Sequence, residues 1–204
     1  MPYKVPNIPS FTLKGVDDKI QDLQVILTSL TWLDYSFGLC EHAHRIEDGA
    51  IVNYPAQWVN NRSDYIDLRP FPDDFYSYSF WDVEDPAGVE YNNDEVNAAK
   101  RKFALYRYNV AAIFVLDLKQ LDFDTSYNET KSKLREDIVN KFETGLLGFN
   151  AHFWVTAIYE HDITQIFKGF TIDKPEEFKY PYQAFRIEGE LLFKRACPVS
   201  NTYG

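Results

Sequence analysis

The sequence has few of the residues and segments that assign a protein directly to a functional class. Its 204 residues contain only 2 cysteines, and these, Cys40 and Cys197, form no CxxC motif and indicate no disulfide scaffold. The chain has no run of about 18 apolar residues, the length that a membrane-spanning helix requires. The N-terminal segment also lacks the apolar stretch of a signal peptide. We therefore expect a protein that is made in a reducing cytoplasm and has no membrane span.

Basic residues are also in the minority. The chain has 21 Lys and Arg against 31 Asp and Glu, and its formal net charge is −10. Because affinity for nucleic acids depends largely on Lys and Arg, this balance argues against a protein that neutralises the phosphates of a nucleic acid. It disfavours anionic membranes as well. The charge is compatible with an acidic surface that faces DNA without holding it, and equally with ordinary solubility.

Familiar catalytic motifs are absent: the sequence has no GxSxG, GxxxxGKS/T, GxGxxG or HExxH. His42 and His44 alternate by two, so on a strand they would share a face and could bind a metal with Glu47 or a distant histidine. We favour instead two polar positions on a half-exposed strand. In the segment 160–162, Asp162 is more simply a helix cap than part of an acid–base cluster. We therefore predict no catalytic residue, no cofactor and no metal, and not an enzyme.

The chain does contain enough apolar material for one domain that spans residues 1–204. Hydrophobic residues make up 45% of it and aromatic residues 17%, with 14 Tyr and 16 Phe. Tyrosine is common where a side chain lies between a core and water or a partner. The aromatic excess therefore fits either an interface or a core rich in phenylalanine.

The first half predicts an arm, a helix and several strands. Prolines make residues 1–15 an extended arm. Apolar residues at three- and four-residue spacing predict a helix over 17–33. We interpret residues from about 60 to 97 as a β-rich insertion. Strands are predicted over 39–46, 51–59 and 76–83, with Asp48-Gly49 as the turn between the first two.

The second half predicts three strands and a helix. The first strand, over 102–118, becomes continuously apolar, which is typical of a strand at the centre of a sheet. A capping-box pattern at 126–129 opens a helix that ends near Gly145 and Gly148. Two more strands follow over 152–159 and 184–195. On the last of these, one face is apolar and the other is charged. We expect the charged face to meet water or a partner, and its residues are Arg186, Glu188, Glu190 and Lys194.

Together these elements predict an α+β fold. Short links after the second helix favour a mainly antiparallel sheet with two helices packed on one face, plus the β-rich insertion. No internal repeat or low-complexity segment indicates a different architecture.

An aromatic segment is the most distinctive feature outside the motifs of catalysis. Tyrosine and phenylalanine alternate with serine over 76–80, which gives a strand one aromatic face. With Trp58, this segment could form a rigid apolar patch for a neighbouring subunit, the alternative being a local core within the insertion. The predicted interface residues are Trp58, Phe75, Tyr76, Tyr78, Phe80 and Trp81.

The second half of the chain resembles the tail-terminator-like and head–tail connector proteins of tailed bacteriophages. The shared pattern is a long strand over 103–118, a helix over 126–147, a strand over 153–159 and a closing strand. The stretch Tyr180-Pro-Tyr-Gln-Ala-Phe-Arg-Ile-Glu-Gly-Glu-Leu-Leu-Phe is similar to the endings of such proteins. The N-terminal helix fits the same family, and a crAss-like phage would be a compatible source. Residues 37–97 depart from the compact pattern of the family.

The resemblance implies a structural protein of the virion that forms a six- or twelve-fold homo-oligomeric ring in the phage neck. Its partners would be its own copies, the portal and other neck or tail proteins, and DNA would pass through without specific binding. Two alternatives stay open at this point. One is a cytoplasmic metal-dependent hydrolase that uses His42 and His44, and the other is a small-molecule or peptide-binding module that uses the aromatic segment 75–81.

Overall fold

The structure of the chain is a computed structural model that describes residues 15–59, 64–69, 77–91, 103–121, 127–145, 151–172, 178 and 181–196. Apart from Gly15, the predicted arm lies outside these residues. The elements, in chain order, are α1 (Val16–Leu27), β1 (Tyr35–Leu39), β2 (Glu41–Glu47), β3 (Ala50–Val59), β4 (Asp64–Asp67), β5 (Ser77–Tyr91), β6 (Phe103–Asp117), α2 (Tyr127–Thr144), β7 (Ala151–Tyr159), α3 (Ile163–Ile166) and β8 (Tyr182–Ala196).

Five of the strands form the main sheet, in the order β1-β5-β6-β8-β7. Neighbouring strands in this sheet are antiparallel except β1 and β5, which run parallel. The other three strands form a smaller antiparallel sheet in the order β2-β3-β4. Helices and strands alternate irregularly along the chain, and this confirms the predicted α+β class.

The central strand β6 is covered on both of its faces over residues 110–116. Successive side chains of a strand point to opposite faces, so a strand with one face in water alternates between apolar and polar residues. Over residues 110–116 of β6 the two sets are both apolar and enter two separate core clusters. The first cluster receives Val110, Ala112, Phe114 and Leu116, and the second receives Ala111, Ile113 and Val115. The continuous apolar run therefore requires a layer on each side of the sheet.

The first cluster joins both long helices to alternate residues of the main sheet. The helical side chains recur at three- and four-residue spacing, which gives each helix one apolar stripe. They meet aromatic residues of the sheet, and the ring of Phe142 lies 5.6 Å from that of Trp81 and 5.0 Å from that of Phe153 between centroids. The helical members of the cluster are Ile20, Leu23 and Leu27 from α1, and Leu134, Ile138 and Phe142 from α2.

A buried glutamine fastens α1 to the end of the main sheet. The side-chain Nε2 of Gln24 donates a hydrogen bond to the carbonyl oxygen of Ser36 in β1, at 2.8 Å. Gly38 leaves room for this side chain, because a Cβ at Gly38 would lie 3.1 Å from Gln24 Oε1. Since β1 is the last strand on its side of the sheet, this bond and the packing of α1 cover that end.

The second cluster covers the opposite face of the main sheet. It contains residues of α3, of the turn that follows α3 and of the segments that border the smaller sheet, and Ile66 of β4 packs against it. Two backbone hydrogen bonds hold these parts in place: Cys40 N donates to Trp81 O at 2.8 Å, and Thr171 N donates to Asn53 O at 2.7 Å. The large side chains in the cluster are Phe37, Leu68, Tyr78, Phe80, Ile166 and Phe167.

The first helix is shorter than its apolar spacing predicts. It ends at Leu27, whereas the spacing predicted a helix as far as residue 33. Leu30 and Leu33 are nevertheless buried in the first cluster. The turn after the helix therefore buries apolar residues at a helical spacing although it is not helical. For this reason the apolar spacing predicted a helix that is too long.

The strand β5 is longer than predicted and belongs to the main sheet. It runs from Ser77 to Tyr91 between β1 and β6, through the Asp85-Pro-Ala-Gly segment that reads as a loop. A register shift between Glu84 and Gly88 absorbs the irregular residues, as a β-bulge does. Part of the predicted insertion at 60–97 is therefore a strand of the main sheet.

Gly189 allows β7 and β8 to approach closely, and it gives a test of the packing. A Cβ at Gly189 would lie 2.4 Å from two ring atoms of Phe153 and 2.4 Å from the carbonyl oxygen of Trp154. We expect Gly189→Ala to lower the free energy of unfolding in urea by about 1–3 kcal/mol, the usual cost of overpacking. Gly88→Ala is the control, because its Cβ would only make an ordinary contact with Arg107 at 3.6 Å. Equal effects of the two substitutions would contradict this account.

Candidate functional site

The most unusual environment in the described residues is that of Arg186 in β8. The sequence predicts that Arg186 shares a face with Glu188, Glu190 and Lys194 and that this face meets water or a partner. The side chain lies on that face, but its exposure is 0%. The prediction is wrong for Arg186 because the second core cluster covers this part of the sheet, whereas Lys194, near the end of the strand, is exposed.

Three carboxylates surround the guanidinium of Arg186. Its Nε donates to Glu188 Oε1 at 2.9 Å, and one of its terminal nitrogens donates to Glu84 Oε1 at 2.8 Å. The other terminal nitrogen, Nη1, lies 3.6 Å from Asp82 Oδ2 and has no hydrogen-bond partner within the described residues. We call Arg186, Asp82, Glu84 and Glu188 the Arg186 cluster.

The register of the main sheet explains why these four side chains meet. Asp82 pairs with Ala111, and Ala111 pairs with Glu188, so the two acids lie on either side of a small residue. Arg186 pairs with Ile113 in the neighbouring row. Paired residues of an antiparallel sheet share a face. The small side chain of Ala111 leaves the space that the guanidinium occupies.

A second cation lies beside the cluster and offsets part of its negative charge. Lys168, in the turn after α3, donates from Nζ to Glu84 Oε1 at 2.9 Å. Burial raises the pKa of the Glu84 carboxyl, but the hydrogen bond from Lys168 and the charge of Arg186 outweigh this effect and lower that pKa from its ordinary value. Two cations against three carboxylates leave one net negative charge when the adjoining His42 is neutral.

His42 in β2 adjoins the cluster through Asp82. Its Nε2 lies 2.8 Å from Asp82 Oδ1, and its ring lies 4.6 Å from that of Phe170 between centroids. Gly169 lies beside the imidazole, and its φ of +88° is a backbone conformation that favours glycine. About half of the His42 side chain, 51%, stays exposed. His42 therefore connects the buried acid to the surface.

Cys40 lies beside the same acid and is buried. Burial raises the pKa of the Cys40 thiol well above its ordinary value, and the charge of Asp82 raises it further. Cys40, His42 and Asp82 form a group of three potential metal ligands, whose ligand atoms all lie within 4.8 Å of one another. A thiol, an imidazole and a carboxylate can together hold a divalent metal.

A small open cleft of about 210 Å³ lies next to the Arg186 cluster. Its walls are mostly polar, and Glu84 and Glu188 of the cluster face it together with Asn109 and Thr156. This volume suits an ion with its water or a small polar molecule, and it is below the usual range for a drug-sized ligand.

The structure separates the six predicted interface residues into two groups. Tyr78, Phe80 and Trp81 are almost completely buried in the core of the chain, so these three side chains form no exposed patch for a neighbour. The interface prediction is wrong for them because β5 is an inner strand with a layer on each face. The side chains of Trp58, Phe75 and Tyr76 lie outside the described residues.

The other predicted polar positions have structural roles or lie apart. Asp162 caps α3 by accepting a hydrogen bond from Thr164 N at 2.9 Å, which confirms the predicted cap, and His161 is exposed. His44 shares a strand with His42 and is exposed, but it does not belong to the group of potential ligands. Glu47 forms ion pairs with Arg45 and Arg69.

Sequence reasoning missed the members of the site that come from β5 and β8. Asp82 and Glu84 follow an aromatic run and resemble ordinary loop or surface acids. Arg186 differs from its polar neighbours in no local pattern. One signal could have indicated the burial of Arg186. The last strand alternates between apolar and charged residues, but it pairs with a central strand that is continuously apolar, and a charged side chain that is buried beside such a strand needs charged or polar partners.

Comparison of the chain with protein-family models and with curated proteins finds no match. Among the described residues, none of the helices has both the length and the apolar character needed to cross a membrane.

Removal of the buried cation tests the Arg186 cluster. We expect Arg186→Met to lower the free energy of unfolding by about 3–5 kcal/mol, because it leaves three carboxylates without their buried partner. Arg186→Lys should cost less, since it keeps the charge but loses the forked donors. Lys168→Met is the control: it removes an exposed cation from the same Glu84, at a cost below about 1 kcal/mol. Urea denaturation measures all three, and similar losses for Arg186→Met and Lys168→Met would refute the role given to burial.

Proposed function

We propose that the chain is a structural virion protein that forms a homo-oligomeric ring in the neck of a tailed bacteriophage, between the portal and the tail. The observation that carries the proposal is the arrangement of β6, α2, β7 and β8 together with α1. The apolar stripes of both helices enter one cluster with alternate residues of a mostly antiparallel sheet. A tail-terminator-like fold with two helices packed on one face has this arrangement.

A closed ring needs two different contact surfaces on each subunit, because each copy meets the next head-to-tail. The tip of the β2–β3 hairpin is one candidate. Ile46 and Ile51 form a direct cross-strand pair there, with exposures of 77% and 71%. Two large apolar side chains side by side on a projecting hairpin are unusual for a surface that meets only water.

The strand β7 is the second candidate surface. It is the last strand on its side of the main sheet, so it is paired only with β8 among the described strands. Trp154 projects from it and is half exposed, and its ring stacks on that of His152 with centroids 5.7 Å apart. Tryptophan is one of the residues most enriched at the centres of interfaces. We propose that the hairpin tip of one subunit contacts the β7 surface of the next.

The acidic charge of the chain supports the same function. With a net charge of −10, a ring of many copies would repel the phosphates of DNA that passes through it. Repulsion keeps DNA from binding along the channel wall, whereas a basic wall would hold it. The ring would therefore guide DNA without retaining it.

Ring formation is the direct test of the proposal. We expect the purified protein, alone or mixed with its portal protein, to form rings in negative-stain microscopy and a matching mass in light scattering. The double substitution Ile46→Gln, Ile51→Gln should weaken assembly more than tenfold, because it removes the paired apolar side chains of the hairpin tip. Trp154→Ala should weaken it as well.

Val25→Gln is the matched control for these variants. Val25 lies on α1 with an exposure of 51%, so the substitution also removes an exposed apolar side chain but leaves both proposed surfaces intact. It should assemble like the wild-type protein. A wild-type protein that stays monomeric with the portal present and is missing from purified virions would exclude the neck function.

A further inference from the structure

Three ligand-bearing side chains meet where the smaller sheet crosses the main sheet. Cys40 is the residue before β2, His42 lies near the start of β2, and Asp82 lies in β5. The backbone bond from Cys40 N to Trp81 O, at 2.8 Å, fixes the two strands beside each other at this point. The side chains of Cys40 and Asp82 are almost completely buried, whereas that of His42 reaches the surface.

The spacing of the three ligand atoms is close to that of a tetrahedral metal site. Zinc–sulfur bonds of about 2.3 Å and zinc–nitrogen or zinc–oxygen bonds of about 2.1 Å place neighbouring ligand atoms about 3.4–3.6 Å apart. His42 Nε2 and Asp82 Oδ1 are 2.8 Å apart, and all three ligand atoms lie within 4.8 Å of one another. Side-chain shifts of about 1 Å would therefore bring the group to coordination distances.

The nearby cation does not prevent a metal from binding to Asp82. Arg186 donates its two short hydrogen bonds to Glu188 and Glu84, at 2.9 and 2.8 Å. Its contact with Asp82 is longer, 3.6 Å, and is beyond hydrogen-bond distance. Asp82 therefore keeps a lone pair for another partner, and the local excess of carboxylates over cations favours a positive ion.

We propose that Cys40, His42 and Asp82 bind a zinc ion, with a water molecule in the fourth position on the exposed side of His42. A thiolate and an imidazole favour zinc over magnesium or calcium, which prefer oxygen ligands alone. Binding transfers the thiol proton of Cys40 to solvent. The proton between His42 Nε2 and Asp82 Oδ1 moves to His42 Nδ1 when the imidazole is neutral, or to solvent when it is protonated, and two metal bonds replace the direct contact between these atoms. The ion would link β2 to β5, and so the smaller sheet to the main sheet. The proposal does not rest on a role in the phage neck.

Metal analysis of the full chain tests the site. We expect one zinc per chain after purification with zinc and dialysis, and a higher melting temperature with zinc than after treatment with a chelator. Cobalt should replace zinc and give the near-ultraviolet absorption band of a thiolate–cobalt bond. In competition with a chromogenic chelator, Cys40→Ser and His42→Ala should bind zinc at least about 100-fold more weakly, since even outer-shell partners of a metal commonly account for 10- to 100-fold.

The chain supplies matched controls for two of the three ligands. His44→Ala removes a second exposed histidine from the same strand, and it should keep both the stoichiometry and the affinity. Cys197→Ser removes the other cysteine of the chain and should keep the cobalt band, which Cys40→Ser should abolish. Circular dichroism confirms that each variant is folded.

Three results would each overturn the zinc site. One is a wild-type protein that retains no zinc and shows no change of melting temperature with it. Another is an equal loss of affinity in His42→Ala and His44→Ala, which would indicate binding by exposed histidines in general. The third is a cobalt band that persists in Cys40→Ser, because the thiolate would then come from elsewhere.

Discussion

The rest of the structure depends on the burial of both faces of β6 over residues 110–116. A strand whose successive side chains are all apolar has no face to offer to water, so each face needs its own layer. Residues of α1 and α2 enter the cluster on one face, and residues of α3 and of the segments that border the smaller sheet enter the cluster on the other. The second layer covers only part of the face of the main sheet, so polar residues of β5 and β8 meet at the border of that layer. The Arg186 cluster lies at that border and satisfies the charges that the layer buries.

Local sequence patterns predicted those helices and strands in which apolar residues recur with one regular spacing. The long strand, the second helix and the last two strands agree with their predicted positions within a few residues, because one apolar stripe or one alternation specifies each of them. Sequence patterns gave wrong secondary structure where contacts with distant parts of the chain determine the local conformation. Leu30 and Leu33 kept a helical spacing in a turn, and Asp85-Pro-Ala-Gly resembled a loop although its neighbours on β6 hold it in a strand with a bulge.

The candidate site was less predictable than the fold because its members come from three distant strands. No sequence window contains Cys40, Asp82 and Arg186, and their meeting depends on the parallel pairing of β1 with β5 and on the register of β6 with β8. The sequence did indicate the segment around His42 as a possible metal site, but the partner that it suggested for His42 was the nearest histidine, His44. The fold replaces that neighbour by an acid that lies 40 residues further along the chain.

The two ends of the main sheet differ, and the difference limits how copies of this chain can associate. At β1, a new strand would have to displace α1 and the bond that Gln24 makes to the backbone. At β7, no described strand covers the outer edge. A sheet that accepts a strand at one end only can join one other sheet and then has no free end left. Pairing through the ends of the main sheet alone would therefore join two copies and would not continue into a fibre.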